Sequence, residues 1–308
     1  MKILIADELQ EEGIKVFQNY GFEVVRNYTI SQELLKKEIE KYDAIVIRSR
    51  TKLTAEILKN ARNLKVIGRA GVGLDNVDLN KAKELKITAI NTPEAPSASV
   101  AELTIGLIIA LSRSICKADR TMHCNQWLKN DFMGFELKGK KLGLIGFGNI
   151  GREVAKRAAA FEMIICVYDI EPKVNELAKK LGYKVYPSID ELIKDSQIIS
   201  LHLPTTKETE NLINEKRIKL MKKGTLIVNT ARGNLVDEKA IIKALKNKEI
   251  GGVALDVFRE EPLKDVELCS CEDNLILTPH IGSQTNETQT NASVMIAEKV
   301  SAFLKKIK

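Results

Sequence analysis

The sequence is poor in aromatic and imidazole side chains and has no long apolar run. Of its 308 residues, 5% are Phe, Trp or Tyr, and only three are His. The longest apolar stretch, residues 103–111, contains Thr104 and Gly106 and is much shorter than the roughly 20 residues that span a membrane. The N-terminal residues also lack the charged segment and apolar core of a signal peptide. We therefore expect neither a membrane-spanning helix nor secretion.

The five cysteines are an odd number without a C-x-x-C pair, which argues against a disulfide framework. Cys269 and Cys271 could together contact a metal ion, but neither a His nor a second Cys pair accompanies them. We therefore predict surface thiols and no metal site. This use of cysteine suits a reducing cytoplasm, which is the location that we expect.

The formal charge of +7 is spread along the chain. Residues 1–94 contain 16 basic and 14 acidic side chains, and the remainder contains 32 and 27. The sequence lacks the basic block or aromatic-rich patch that is typical of nucleic-acid binding. We expect no nucleic-acid partner, and a mildly basic surface suits small anionic substrates.

Short apolar runs separated by helix-length segments predict α/β architecture with doubly wound parallel sheets. The chain is long enough for two such domains. The first series of strands and helices ends at the two prolines within residues 93–96. A helical pattern that is apolar on more than one side then runs from residue 97 to about residue 125. Such a helix is buried between domains, between subunits or within its own domain.

A glycine-rich motif follows the strand predicted at residues 142–145. Gly146, Gly148 and Gly151 have the spacing G-x-G-x-x-G, and a helical pattern continues to about residue 161. The first glycine permits a tight turn, the second lets a pyrophosphate approach the backbone, and the third allows close packing of the helix. Asp169 ends the next strand, where a carboxylate can bind both ribose hydroxyls and repel a 2′-phosphate. This context favours NAD binding over glycines that merely ease a turn.

Ligands of a parallel sheet bind beyond the carboxyl ends of its strands. The residues that directly follow the predicted strands are therefore candidate site residues. They include Leu203, Pro204, Thr230, Ala231, Arg232, Asp256 and His280.

Oxidation of an alcohol releases a hydride and a proton, and His is the natural proton acceptor near neutral pH. His280 directly follows a strand, whereas His123 lies in or just after the long helix and His202 lies inside a strand end. A carboxylate bonded to imidazole raises its pKa and fixes its tautomer. The spacing gives Glu260 and Glu261 nearly equal claims on that role. An arginine such as Arg232 can bind a substrate carboxylate with two hydrogen bonds.

Five segments together resemble the D-isomer-specific 2-hydroxyacid dehydrogenase family: GFGNIG, LHLPTTKET, NTARGNLVDEKAI, ALDVFREEP and LTPHIGSQT. The resemblance covers the whole chain and implies two Rossmann-like domains with a cleft between them. It implies a substrate-binding domain of residues 1–96 plus 286–308 and a NAD-binding domain of residues 97–285. It assigns Arg232 to the substrate, Glu261 to the partner of the catalytic His, and His280 to acid/base catalysis.

The resemblance also implies a set of NAD-binding residues and a homodimer or homotetramer formed through the long helix. The implied NAD-binding residues are Val72, Gly146, Gly148, Asn149, Ile150, Gly151, Asp169, Leu203, Pro204, Thr230, Ala231, Arg232, Asp256, His280, Gly282 and Ser283.

Within the family, the segments IRSRTKLT and GRAGVGLDNVD are most similar to the branch that oxidises D-3-phosphoglycerate in phosphorylated serine biosynthesis. Arg48 and Arg69 match arginines that face the substrate phosphate, and Arg50 is a third candidate. The backbone at Val72 and Gly73 would receive the substrate carboxylate. No regulatory domain follows in the sequence, so we expect no serine feedback.

Two other functions agree with parts of the sequence. A glyoxylate or hydroxypyruvate reductase of the same family would share Arg232, Glu261 and His280, but such enzymes usually prefer NADPH, and Asp169 argues against that. A NAD-sensing binding protein would need partner motifs outside the core. The sequence therefore predicts a NAD-dependent oxidoreductase that acts on 3-phosphoglycerate or another small anionic 2-hydroxy acid.

Overall fold

The computed structural model describes residues 1–271 and 274–307, and the chain divides into two compact units. Unit 1 comprises residues 1–96 and 283–308, and unit 2 comprises residues 97–282. The chain returns to unit 1 at Ser283, three residues before the boundary at residue 286 that the sequence predicts.

Unit 1 is built on a parallel sheet of five strands. The strands are β1 (Lys2–Ile5), β2 (Glu23–Arg26), β3 (Ala44–Ile47), β4 (Val66–Arg69) and β5 (Thr88–Asn91). The helices α1 (Glu11–Asn19), α2 (Gln32–Glu38), α3 (Ala55–Leu58) and α4 (Leu79–Glu84) connect them. The spatial order is β2-β1-β3-β4-β5. The winding direction therefore changes between β1 and β3, and ligands of open α/β sheets bind at such a switch point.

Unit 2 is built on a parallel sheet of seven strands. They are β6 (Lys141–Ile145), β7 (Ile164–Tyr168), β8 (Lys184–Val185), β9 (Ile198–Leu201), β10 (Leu226–Asn229), β11 (Gly252–Leu255) and β12 (Leu275–Leu277). The helices of unit 2 are α5 (Ser97–Ser112), α6 (Ile115–His123), α7 (Asn149–Ala160), α8 (Pro172–Lys180), α9 (Ile189–Asp195), α10 (Glu215–Ile218), α11 (Glu238–Lys246) and α12 (Val266–Cys269). The spatial order is β12-β11-β10-β9-β6-β7-β8, which places the switch point between β6 and β9.

The long helix predicted from residue 97 to about residue 125 is two helices in the structure. Helix α5 ends at Ser112, Ser114 has a left-handed backbone with φ of 52°, and α6 begins at Ile115. Most of α5 is buried, whereas α6 has no buried residue. The prediction of one helix was wrong because only the first half packs into the core. Among the described residues, no single helix is long and apolar enough to cross a membrane. Helices α5 and α6 reach the length and composition of a membrane span only when taken together, and they are bent by 66°.

The helix α13 (Asn286–Lys306) returns to unit 1 and packs on α1 and β4. Ile296 and Val300 of this helix are fully buried in the same cluster as the strand residues of unit 1. A Cβ atom on Gly13 of α1 would lie 2.4 Å from the carbonyl oxygen of Ser293. The two helices therefore approach at a distance that only glycine allows, so the second chain segment completes the core of unit 1.

Candidate active site

His280 and Glu261 form a hydrogen-bonded pair in unit 2. The Nδ1 atom of His280 lies 2.8 Å from one carboxylate oxygen of Glu261. The other oxygen accepts a hydrogen bond from the backbone N–H of Phe258 at 3.1 Å. Glu260, which had an equal claim by spacing, pairs with Lys264 at 2.9 Å. Because the carboxylate engages Nδ1, the Nε2 atom of His280 is the one that can exchange a proton with a ligand.

The pair shifts the pKa values of both side chains. The hydrogen bond to Glu261 raises the pKa of the His280 imidazole, while partial burial and the charge of Arg232 oppose the rise. Burial opposes ionisation of Glu261, but its bonds to His280 and Phe258 and the positive charge of Arg232 lower its pKa overall. Protonated His280 therefore persists to higher pH than a free imidazole would. Arg232 acts electrostatically on both members of the pair.

A buried aspartate holds the loop that carries His280. The backbone of His280 is left-handed, with φ of 55°, a conformation that costs free energy in residues other than glycine. Asp256 is 1% exposed, and its carboxylate accepts bonds from the N–H groups of Ile281 at 2.8 Å and Gly282 at 2.9 Å. It also accepts a bond from the Thr278 hydroxyl at 2.7 Å. Asp256, which we predicted only as a cofactor residue, therefore also fixes the position of His280.

Arg232 follows β10 on a turn that Asn229 shapes. The Asn229 amide donates to the carbonyl of Arg232 at 2.8 Å, and its oxygen accepts from the N–H of Ala231 at 3.1 Å. A Cβ atom on the next residue, Gly233, would lie 2.0 Å from the carbonyl carbon of Phe258. The Arg232 turn thus lies directly against the segment that leads to Glu261. The structure therefore brings Arg232, Glu261 and His280 together at one edge of the sheet.

The other two histidines differ from His280 in ways that argue against acid/base chemistry. Burial lowers the pKa of His202 to about 3, and its Nε2 atom lies 2.9 Å from the Ser200 hydroxyl. His202 is therefore neutral at physiological pH. His123 is 81% exposed on α6, with its Nε2 atom 3.5 Å from Asp119.

The glycine loop after β6 has the shape that a dinucleotide pyrophosphate requires. Gly146 has a φ of 94°, and a Cβ atom there would lie 2.3 Å from the carbonyl oxygen of His202. A Cβ atom on Gly151 would lie 2.4 Å from the carbonyl oxygen of Gly146. No atom lies within 4 Å of a Cβ position on Gly148, which caps the N-terminus of α7. The backbone is open there, beside the free N–H groups of the helix, so these residues fit the pyrophosphate of NAD.

Asp169 closes the same loop. Its carboxylate accepts hydrogen bonds from the N–H groups of Phe147 at 2.7 Å and Glu171 at 2.9 Å. Each oxygen keeps a further lone pair, so the carboxylate can still accept the hydroxyls of an adenosine ribose. The side chain is half-buried beside the glycine turn, where its charge disfavours a 2′-phosphate.

The remaining predicted cofactor residues are divided between the two units. Those of unit 2 begin α7, follow β9 or β10, or end the His280 loop: Asn149, Ile150, Leu203, Pro204, Thr230, Ala231 and Gly282. Val72 and Ser283 belong to unit 1. Sequence reasoning missed Thr104 of α5, whose hydroxyl lies 2.9 Å from that of Thr230 in the core. Its only signal was a polar residue inside an apolar helix.

In unit 1, the candidate substrate residues follow neighbouring strands. Arg48 comes directly after β3 and Arg69 ends β4, so both lie at the carboxyl edge of the sheet. Burial lowers the pKa of Arg48. The guanidinium of Arg69 lies over Gly71, where a Cβ atom would be 1.6 Å from Nη1. Val72 and Gly73 continue the same loop, so the structure places all four residues at one edge.

All five cysteines are free thiols, with Cys269 exposed and Cys271 half-buried. Over residues 1–271 and 274–307, no three His, Cys, Asp or Glu side chains form a cluster that could hold a metal ion.

Substitution of Gly146 by alanine should weaken NAD binding by about tenfold or more, because the new methyl group collides with the backbone of His202. Gly182→Ala is the matched control. Gly182 also has positive φ, at 80°, but no atom lies within 4 Å of its Cβ position. Titration of NADH fluorescence compares the two variants. Equal loss of affinity in both would mean that backbone strain, and not the shape of the loop, limits binding.

Comparison with known proteins agrees with this geometry. Residues 105–282 match the family model described as "D-isomer specific 2-hydroxyacid dehydrogenase, NAD binding domain", so this part of the chain is a NAD-binding domain. A D-3-phosphoglycerate dehydrogenase of Methanocaldococcus jannaschii is 46% identical over 99% of this chain and 58% of its own length. A hydroxypyruvate reductase of Thermotoga maritima is 42% identical over 97% of both chains.

Solved structures show the same similarity. A NAD⁺-bound 3-phosphoglycerate dehydrogenase of Entamoeba histolytica superposes with a TM-score of 0.82 and 31% identity, over 100% of this chain and 96% of that one. The chain spans little more than half the length of several phosphoglycerate dehydrogenases that it matches. Together with the glycine loop and the Arg232, Glu261 and His280 cluster, these matches show that the chain belongs to the D-isomer specific 2-hydroxyacid dehydrogenase family.

Proposed function

We propose that this chain catalyses the NAD-dependent oxidation of D-3-phosphoglycerate to 3-phosphohydroxypyruvate, the first step of phosphorylated serine biosynthesis. The observation that carries the proposal is the 2.8 Å bond between His280 and Glu261 beside Arg232. This arrangement supplies a proton acceptor, His280, and a group that can bind the substrate carboxylate, Arg232, at one edge of the sheet. The name of the relative that is 46% identical supports the choice of substrate.

The chemistry of the protein's own residues follows from this geometry. The bound nicotinamide supplies the hydride acceptor. The Nε2 atom of His280 would take the proton of the C2 hydroxyl, and Glu261 would stabilise the imidazolium that results. Arg232 would bind the substrate carboxylate and polarise the reacting carbon. In the reverse direction, protonated His280 would return the proton to the keto oxygen.

The phosphate group would bind to the arginines of unit 1. Arg48 and Arg69 offer guanidinium groups at one edge of the sheet, and phosphate prefers such planar pairs of donors. The backbone at Val72 and Gly73 would contact the substrate carboxylate or the nicotinamide. Asp169 supports NAD over NADP because its charge would lie where a 2′-phosphate must bind.

A second candidate is hydroxypyruvate reductase. The Thermotoga maritima relative of that name matches 97% of both chains, whereas the Methanocaldococcus jannaschii phosphoglycerate dehydrogenase is matched over only 58% of its own length. Both functions would use Arg232, Glu261 and His280, so the phosphate arginines separate them.

The test compares NAD with 3-phosphoglycerate against NADH and NADPH with hydroxypyruvate and glyoxylate. We expect Arg48→Ala and Arg69→Ala each to raise KM for phosphoglycerate by about 10- to 100-fold, because a charge-assisted contact is lost. KM for hydroxypyruvate should change little. Arg62→Ala is the control, since Arg62 is an exposed arginine of the same unit. Fast NADPH-linked reduction of glyoxylate without phosphoglycerate turnover would instead favour the reductase.

We also propose that the protein is a homodimer in the cytoplasm. Large apolar side chains are exposed on α6 and the loop after it in unit 2: Ile115, Met122, Trp127, Leu128 and Met133. Exposed large apolar side chains concentrated in one helix and the loop after it favour an interaction site, and a second copy of the chain would cover them. Trp127→Asp should shift the sedimentation coefficient toward that of a monomer, and an unchanged coefficient would place the interface elsewhere. The free thiols support a reducing compartment.

A further inference from the structure

Asp7 is a buried carboxylate at the switch point of unit 1 that the proposed function does not use. It follows β1 and is 4% exposed, and among the described acidic side chains only Asp256 is also buried. Its Oδ2 atom accepts hydrogen bonds from the N–H groups of Arg48 at 2.6 Å and Thr51 at 3.2 Å. Its Oδ1 atom accepts from the Thr51 hydroxyl at 2.6 Å. Asp7 therefore ties the turn after β3 to the end of β1.

Asn76 holds the same turn from its other side. Its side-chain amide donates to the carbonyl oxygens of Arg48 at 2.7 Å and Thr51 at 2.6 Å. Both the N–H and the C=O groups of the turn are thus bonded to buried or half-buried side chains. A backbone fixed in this way limits the freedom of the Arg48 side chain before any ligand binds, which favours binding.

Asp7 also separates the roles of the two arginines in this turn. The Nε atom of Arg50 lies 3.0 Å from Asp7, and its Nη2 atom donates to the carbonyl of Ala6 at 2.5 Å. Arg50, the third arginine that the sequence offers for the phosphate, is therefore already paired with a carboxylate of unit 1. Arg48 instead donates to the carbonyl of Glu8 at 3.4 Å. No described carboxylate lies within ion-pair distance of it, although the charges of Asp7 and Glu8 act on it from farther away.

We propose that Asp7 is a positioning residue that determines specificity for a phosphorylated substrate. By pairing with Arg50 and anchoring the N–H of Arg48, it makes Arg48 the arginine of this turn that binds the phosphate. The inference rests on the proposed function and extends it to a residue that is not among the proposed substrate contacts. Its physical basis is that the hydrogen bond from the Arg48 N–H to Asp7 holds the backbone of Arg48 in place before the phosphate binds, so less ordering is needed on binding.

The test is Asp7→Asn, which keeps the shape and one acceptor oxygen but removes the charge. We expect KM for 3-phosphoglycerate to rise by about tenfold while kcat stays within about twofold. KM for hydroxypyruvate, which has no phosphate, should not change. Thr51→Val removes one donor to Asp7 and keeps the charge, so it should give a smaller rise of about threefold for phosphoglycerate alone.

Asp43→Asn is the matched control. Asp43 lies at the opposite edge of the same sheet, where it accepts from the N–H of Lys2 and from Lys65 Nζ, both at 2.8 Å. Its loss should lower the melting temperature without changing either KM. A control with the same KM pattern as Asp7→Asn would mean that any destabilisation of unit 1 weakens phosphate binding, which would overturn the role of Asp7.

The other outcomes are equally distinct. An equal rise in KM for both substrates, or a fall in kcat with unchanged KM, would show that Asp7 only supports the fold. If the wild-type protein oxidises phosphoglycerate and the variants keep its KM, this inference fails and the proposed function stands. If the wild-type protein does not oxidise phosphoglycerate at all, the proposed function fails and this selectivity fails with it. Thermal melting identifies a variant that does not fold. If Asp7→Asn does not fold, the KM values of Thr51→Val test the role of Asp7.

Discussion

His280→Ala should lower turnover by about three orders of magnitude, while the affinity for NAD changes little. The size of the effect follows from the loss of general acid/base catalysis, which contributes about 10²- to 10⁴-fold. No other imidazole can replace it, since burial keeps His202 neutral with a pKa of about 3 and His123 is exposed on α6. Initial rates at saturating NAD and titration of NADH fluorescence measure the two quantities.

His123→Ala provides the control for this prediction. It removes an imidazole that is 81% exposed and should leave both the rate and the affinity unchanged. Retention of turnover in His280→Ala would mean that another group accepts the proton. A parallel loss of NAD affinity would mean that the substitution disturbed the loop held by Asp256.

Glu261→Gln should lower the maximal rate by about 10- to 100-fold and move the pH profile to lower pH. Oxidation requires neutral His280, and Glu261 raises the pKa of that imidazole above its usual value. In the wild-type protein the oxidation rate should therefore rise with pH through this elevated pKa. Glutamine carries no charge, so the pKa falls and the rise begins at lower pH. Reduction requires protonated His280, so the reduction rate falls as the pH rises. In Glu261→Gln this fall should also move to lower pH.

Rates in both directions between about pH 5 and pH 10 test the assignment of Glu261. Glu260→Gln is the control, because that carboxylate pairs with Lys264 on the surface and should alter neither rate nor profile. A profile that moves for Glu260 and not for Glu261 would reverse their roles. A lower rate without a shift in the profile would mean that Glu261 orients the imidazole but does not set its pKa.

Local patterns predicted most of the fold because buried parallel strands are short apolar runs. The apolar run at residues 44–47 forms β3, and the strand predicted at residues 142–145 is all but the first residue of β6. Ser31 and Thr54, residue types that favour helix N-caps, cap α2 and α3 with side chains that accept from the N–H groups of Leu34 and Ile57. The apolar runs and the capping residues agree on where these elements lie, so the elements could be predicted from neighbouring residues alone.

The supports of the site could not be predicted in this way, because they join segments that are distant in the sequence. Asp256 bonds the loop of His280, and Asp7 bonds the turn of Arg48, yet both are single acids after apolar strands with no local signal. The break before α6 was equally hidden. Ser114 adopts a left-handed backbone, and α6 has no buried residue, a fact that depends on what surrounds the helix. Sequence patterns indicated the chemistry of the groups, and tertiary packing decided their geometry.

The return of α13 to unit 1 has a consequence for how the protein is made on the ribosome. Residues 97–282 form a continuous segment, so unit 2 can fold as soon as it leaves the exit tunnel. Unit 1 cannot, because Ile296 and Val300 of its core belong to α13, which is synthesised after the whole of unit 2. Until then, α13 does not cover the face of β4 and β5 on which it later packs. The strands of unit 1 therefore emerge before unit 2 but are covered only after it, and during that interval their apolar face is open to aggregation.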